Sequence, residues 1–308
     1  MKKKRLIGIA IAAALVSTGI GVGYTYYITN TVTERVLQSQ EEKQAAKNEA
    51  LKFMTEEHTS EEIKEKLLET FEKVGKDKEI CTELVDTYLY GVYNTCAQYT
   101  MNETDTNALY ACMNPDGTFD FDALPEGDLK TLVHELADDH IIPRFLNGAL
   151  FWDVDYAYFD TTFRDYVKED YRDMIHFYAT EKEESYQDDD GEAFYPEIVE
   201  NRLDTLYRMM EVYSDSEIRS IMEESYYFYK AVYLGAYAQG YIFESGSIRP
   251  KVLEAYRNYA AVCKDQELAE FLKELIAAYE EANGTRTVPI FEDIKEFCGF
   301  YYPEEELK

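Results

Sequence analysis

Trp152, the only tryptophan, is followed by Asp153, Asp155 and Asp160, set among Tyr156, Tyr158 and Phe159. Carboxylates accept hydrogen bonds from sugar hydroxyls or hold cations, and aromatic faces stack on the apolar faces of sugars. A pair of carboxylates is also the machinery of glycoside hydrolysis. Trp152, Asp153, Asp155, Tyr156, Tyr158 and Asp160 are therefore the candidate ligand residues. They open a segment, Asp153 to Glu192, that carries 14 acidic and 4 basic residues. A charged solvent face beside a buried aromatic seam accounts for the same residues without a ligand.

The other constellations fail a spacing test. Asn114-Pro-Asp116-Gly117 resembles the second half of a calcium loop, but alignment on Asp116-Gly117 puts Cys112 at the first ligand position. It also puts Ala123 where the bidentate glutamate belongs, so a plain loop is expected. His134 and His140 are six apart, whereas zinc-protease histidines sit four apart on one helical face. His134 and Asp138 do share a face, as a solvated or capping pair. Asp173-Met-Ile-His176 is a single acidic-x-x-His motif where a di-iron bundle needs two. Nucleophile elbow, phosphate-cradling loop and dinucleotide fingerprint are all missing from the sequence. No catalytic residue, metal ligand or cofactor is assigned.

Cys81, Cys96, Cys112, Cys263 and Cys298 are dispersed, with no close pair at metal-ligand spacing. They read as small buried hydrophobes, although an oxidising compartment would allow pairing among the first three. Asn102-Glu-Thr104 and Asn283-Gly-Thr285 fit the glycosylation pattern, which matters only on a eukaryotic secretory route. Tyr229, Tyr233, Tyr237 and Tyr241 recur every four residues and so line one side of a helix. With no charge from Ala231 to Phe243, that helix is expected in the core, with an aromatic ligand platform as the alternative.

What would position these residues is a set of helices. Thr59-Ser-Glu-Glu62 is a capping box, followed by Ile63, Leu67, Leu68, Phe71 and Val74 at helical spacing. Further helices are predicted at Asp77 to Tyr99, Leu129 to His140, Tyr156 to Tyr178 and Glu197 to Tyr213. Three more are predicted at Asp215 to Phe243, Lys251 to Val262 and Asp265 to Ala282. Pro115, Gly117, Pro125 and Gly127 mark a loop, and Asn283 to Pro289 marks a break. Alternating strands are at most minor. The junctions Val74 to Ile80, Val212 to Ile218 and Val262 to Leu268 share one pattern. An apolar residue closes a helix, then Asp and Glu open the next, as antiparallel helix hairpins require.

At the N-terminus, Lys2, Lys3, Lys4 and Arg5 precede an uncharged run from Leu6 to Ile28. About 20 apolar residues cross a bilayer core, and flanking Lys and Arg stay cytoplasmic. Tyr24, Tyr26 and Tyr27 then fall at the outer headgroups. A cleaved signal peptide or a processed pilin-like helix are the alternatives. A second span over the tyrosine-rich helix is disfavoured, because Lys230 and Gln239 would need partners in lipid.

The remainder is acidic, with 61 Asp and Glu against 31 Lys and Arg, a net charge of −30. That balance repels nucleic acid and anionic membrane surfaces. With 46% hydrophobic and 15% aromatic residues, the chain is too apolar to be disordered.

The expected architecture is all-α, an irregular bundle or array of helical hairpins on an N-terminal transmembrane helix. Residues 1–30 form the anchor, 31–58 a helical stalk, and 59–308 an extracytoplasmic domain with a division near 181–196. The expected role is interaction or scaffolding, with the membrane bound through residues 6–28 and a protein as the partner. The alternative is a cation or glycan receptor using the acidic, aromatic region, and the third a carboxylate-dependent hydrolase.

Overall fold

Caps and breakers written into the sequence set most of the element boundaries. A computed structural model describes residues 22–114, 118–146, 149–181, 186, 194–236 and 242–299. Among them the fold is all-α, with twelve helices and two short β-hairpins. None of these helices is long and apolar enough to cross a membrane. Residues 1–21 of the expected anchor lie outside the described residues. The chain divides into two compact units, residues 1–88 and 89–308.

The first unit contains α1 (Val22–Met54), α2 (Ser60–Lys73) and the start of α3 (Lys78–Cys96). The capping box forms as expected, with Glu62 N–H donating to the Thr59 side chain and Thr59 N–H donating to Glu62 at 2.9 Å. Leu67, Phe71, Val74, Cys81, Leu84 and Val85 are fully buried. Lys43 with Asp77, at 3.0 Å, and Lys66 with Glu49 join the helices at their rims. Gly75 and Lys76, at φ 65° and 55°, make the tight left-handed link between α2 and α3.

The second unit holds the end of α3, then α4 (Glu103–Ala111), α5 (Asp128–Asp138), α6 (Tyr156–Phe163) and α7 (Glu169–Glu181). After these come α8 (Pro196–Val212), α9 (Arg219–Leu234), α10 (Pro250–Ala260), α11 (Gln266–Glu281) and α12 (Val288–Phe297). Strands β1 (Ile141–Leu146) and β2 (Ala149–Val154) pair antiparallel, with Pro143 opposite Trp152 and Arg144 opposite Phe151. A second hairpin pairs β3 (Phe243–Glu244) with β4 (Ser247–Ile248). The helices flanking residues 181–196 belong to the same unit.

Four expectations about elements are corrected. The helix expected from Tyr156 to Tyr178 is two helices, α6 and α7, separated by a turn. Phe159, Phe163, Val167, Tyr171 and Met174 are all buried, so the three-to-four spacing runs unbroken through the turn and hides it. The helix expected to reach Phe243 stops at Gly235, which is left-handed at φ 78°. A Cβ there would sit 3.2 Å from Ile242 and 3.3 Å from Phe243, so glycine permits both the cap and the close return. The Val212 junction does not open with Asp215, because α9 begins at Arg219 after an Ile218 cap. Val212 and Val262 are 65% and 70% exposed, so they are not apolar closures as Val74 is. Finally, α12 fills part of the expected break, with Pro289 in its first turn where a missing N–H costs nothing.

All five cysteines are free thiols, four of them buried. Burial pushes the Cys81 thiol up to about 12 and the Cys298 thiol to about 11, as expected of packing residues.

Tyr229 and Tyr233 lie in the core as expected, while Tyr237 and Tyr241 lie outside the described residues. The Tyr233 ring packs on Tyr256 and Tyr259, and its hydroxyl donates to Glu200 at 2.6 Å. Tyr233→Ala is expected to cost about 3–5 kcal/mol, from lost burial plus the cavity left behind. Tyr233→Phe, which only leaves Glu200 without its donor, is expected to cost about 1–3 kcal/mol. Urea unfolding of the purified chain gives both values. An Ala variant as stable as the parent would refute the core assignment.

Candidate functional site

The sequence-derived ligand residues gather at the hairpin and α6, but mostly as structural parts. Trp152 on β2 is buried at 7% exposure. Asp153 accepts the Arg144 guanidinium at 3.1 Å and the Val154 amide at 2.8 Å. Asp155 caps α6, accepting the Tyr158 amide at 3.2 Å. Tyr156 packs its ring 5.1 Å from Tyr178, and burial raises its hydroxyl pKa. Tyr158 stacks on His140 at 3.3 Å. Asp160 is the exception, because it points onward to His176.

That link leads to a cleft of about 500 Å³ between α7 and α8. Tyr213, just past α8, donates its hydroxyl to Asp173 on α7 at 2.7 Å. At the other end, Arg202 on α8 donates to the Glu181 carbonyl at 2.6 Å. The late end of α8 thus meets the start of α7, and the middle of α8 meets the end of α7, so the helices run antiparallel and are joined at two points. Beside these bonds they leave a slot. On α7 the spacing of Asp173, His176, Phe177 and Thr180 places them on one face. On α8 the spacing of Ile198, Asn201, Thr205 and Arg208 does the same.

Beneath the slot runs a buried chain of charge. Arg144 lies 3.1 Å from Asp153 and 3.5 Å from Glu181, with all three side chains at most 16% exposed. Arg202 is 8% exposed and lies over the rings of Tyr186 and Tyr229, at 5.6 and 5.1 Å. Burial raises the Glu181 pKa, and the neighbouring Arg144 and Arg202 charges hold it down. Two arginines against two carboxylates leave this layer close to neutral.

The slot walls divide by what is already engaged. Asp173 accepts Arg172 at 2.9 Å with one oxygen and Tyr213 with the other. The Thr180 hydroxyl donates to the His176 carbonyl at 2.8 Å. His176 binds Asp160 through Nδ1 at 2.9 Å, which orients the ring, and its side chain is about half exposed. Among the described residues, Asn201, Thr205 and Arg208 have no hydrogen-bond or ion-pair partner for their side chains. Sequence reasoning missed the α8 residues. Their three-to-four spacing of polar groups opposite Asp173-x-x-His176 was the available signal.

The remaining candidates are spread out. His134 is 3.9 Å from Asp122 and edge-on to Phe121, away from the slot residues. Asn102 caps α4 rather than standing free. Among the described residues, no group of three or more His, Cys, Asp or Glu side chains is placed to hold a metal ion. Comparison with protein families, with curated proteins and with solved structures yields no match.

Arg144 is the test of the buried layer. Arg144→Met removes the ion-pair partner of both Asp153 and Glu181, leaving Glu181 only the neighbouring Arg202 charge, and is expected to cost about 3–5 kcal/mol at neutral pH. Glu181 already has a raised pKa in the folded chain, so the folded state binds its proton more tightly than the unfolded state. Its burial therefore opposes folding above that raised value, and the penalty fades as pH falls into the ordinary carboxylate range. The variant's deficit relative to the parent should shrink over the same window, as read by urea unfolding at stepped pH. A deficit that grows on acidification would overturn this assignment.

Proposed function

We propose that the chain is a membrane-anchored, extracytoplasmic binding protein whose second unit takes up a small ligand in the α7–α8 slot. The observation that carries this reading is the slot itself. Its two helices are joined by hydrogen bonds from Tyr213 to Asp173 and from Arg202 to the Glu181 carbonyl, while Asn201, Thr205 and Arg208 on its α8 wall have no internal side-chain partner among the described residues. A cleft that is held open and lined by unengaged polar groups suits recognition, because the binding geometry exists before the ligand arrives. The anchor rests on the sequence, namely the Lys2–Arg5 cluster followed by the run from Leu6 to Ile28.

A second reading, docking of a protein partner, is favoured by Tyr90 and Tyr93. They are 62% and 54% exposed and three residues apart on one helical face. Exposed tyrosines offer contact area at low entropy cost, and interfaces are enriched in them.

Topology is the first test. Membranes carrying the full chain are expected to retain it through alkaline extraction. Protease added outside intact cells should remove the portion beyond residue 58. Loss of the chain to the soluble fraction, or protection of that portion until lysis, counts against the anchor or its orientation respectively.

A further inference from the structure

Resting on the binding reading above, we infer that the α7–α8 slot is selective for a small monoanion, a hydroxylated carboxylate such as a sugar acid. The chain is strongly acidic, yet the slot's carboxylates are the groups already engaged. Asp173 holds Arg172 and Tyr213, and Glu181 lies against Arg144. What the fold leaves without partners is a donor set. Arg208 offers a guanidinium fork, Asn201 an amide and Thr205 a hydroxyl, across the slot from His176. A planar carboxylate matches the Arg208 fork bidentately, and Asn201 and Thr205 suit ligand hydroxyls. Phe177 and Ile198 supply apolar wall for a compact carbon frame.

Magnitudes decide against the opposite sign. The net charge of −30 acts mainly over distances longer than the screening length of about 8–10 Å in physiological salt. Groups at contact distance with the ligand are screened far less, and there Arg208 faces the ligand directly. The slot also sets an upper limit on ligand charge. Asp173 stays in the wall, and its repulsion roughly doubles from a monoanion to a dianion. The volume, about 500 Å³, falls within the range of small-molecule sites.

Four probes on one sugar frame separate the cases: glucuronate, glucose, glucosamine and glucose 6-phosphate. Each is titrated into the full chain in detergent micelles, read by saturation-transfer NMR and calorimetry. Glucuronate is expected to bind most tightly, and Arg208→Gln to weaken it by about tenfold or more. Arg208 is exposed and has no internal partner, so the variant should melt like the parent. Asp173→Asn should improve glucose 6-phosphate more than glucuronate. Glucosamine or glucose binding as well as glucuronate, untouched by Arg208→Gln, would overturn the anion assignment and leave the slot as a binding site. Glucose 6-phosphate binding more tightly than glucuronate would overturn the monoanion limit. Failure of all four at millimolar concentration would overturn this inference and remove support from the binding reading itself.

Discussion

Burial of the Arg202 guanidinium is the constraint around which the second unit is arranged. Removing such a cation from water costs several kcal/mol unless its protons and its charge are both met. The Glu181 carbonyl and the Tyr229 hydroxyl take its hydrogen bonds, and the Tyr186 and Tyr229 rings face it. Meeting the charge draws in Glu181, and burying Glu181 in turn requires Arg144, which requires Asp153. One buried residue thereby recruits the β1–β2 hairpin, α7 and α8. Hydrogen bonds of fixed direction, from Arg202 to the Glu181 carbonyl and from Tyr213 to Asp173, set the spacing of α7 and α8 beside the slot.

The same economy operates through tyrosine. The sequence has 28 tyrosines and 61 acidic residues, and the fold pairs several of them. Tyr213 donates to Asp173, Tyr233 to Glu200, Tyr259 to Asp204 and Tyr226 to Asp265. A buried phenol needs an acceptor, and a half-buried carboxylate needs a donor. Each bond answers both needs without adding a cation. Burial, then the adjacent carboxylates and, at Tyr259, the neighbouring Cys263 ahead of Asp204, raise the pKa of Tyr226, Tyr233 and Tyr259, so these hydroxyls remain donors across the physiological range. Two of the acceptors, Glu200 and Asp204, are on α8, receiving α9 and α10 on one side while the slot occupies another. Helix α8 is therefore both the internal strut and one wall of the candidate site.

What the sequence revealed follows from the range of each interaction. The Thr59 capping box and the Asp265 cap act within three residues, and both form as read. Helical spacing located α8, α10 and α11 closely for the same reason. The β1–β2 hairpin was missed because Pro143 interrupts its first strand, although Asn147-Gly148 is a hairpin signal in the sequence. The α6–α7 break was hidden by apolar spacing that continues through it. At the site the decisive partners are distant. Arg202 and the Glu181 carbonyl are 21 residues apart, and Tyr213 and Asp173 are 40 apart. No local pattern distinguishes an aspartate that a remote tyrosine will engage from one that stays free.

That distinction reverses the chemistry expected from composition. Read as letters, the stretch from Asp153 to Glu192 is a place for cations, since carboxylates outnumber basic groups several-fold. Folding changes the inventory, because a carboxylate that already accepts two strong donors has little capacity left for a ligand. Asp153, Asp155, Asp160 and Asp173 each accept hydrogen bonds from within the chain, and Glu181 is ion-paired. Arg208, Asn201 and Thr205 of α8 carry no such obligation, unlike the buried Arg202 of the same helix. The sign of a binding site is therefore set by the charges the fold leaves without partners, and a strongly acidic chain can build a donor-lined cleft. The tyrosine bonds make this arrangement possible. They satisfy carboxylates with neutral donors, so an arginine such as Arg208 is not drawn into the interior to balance them.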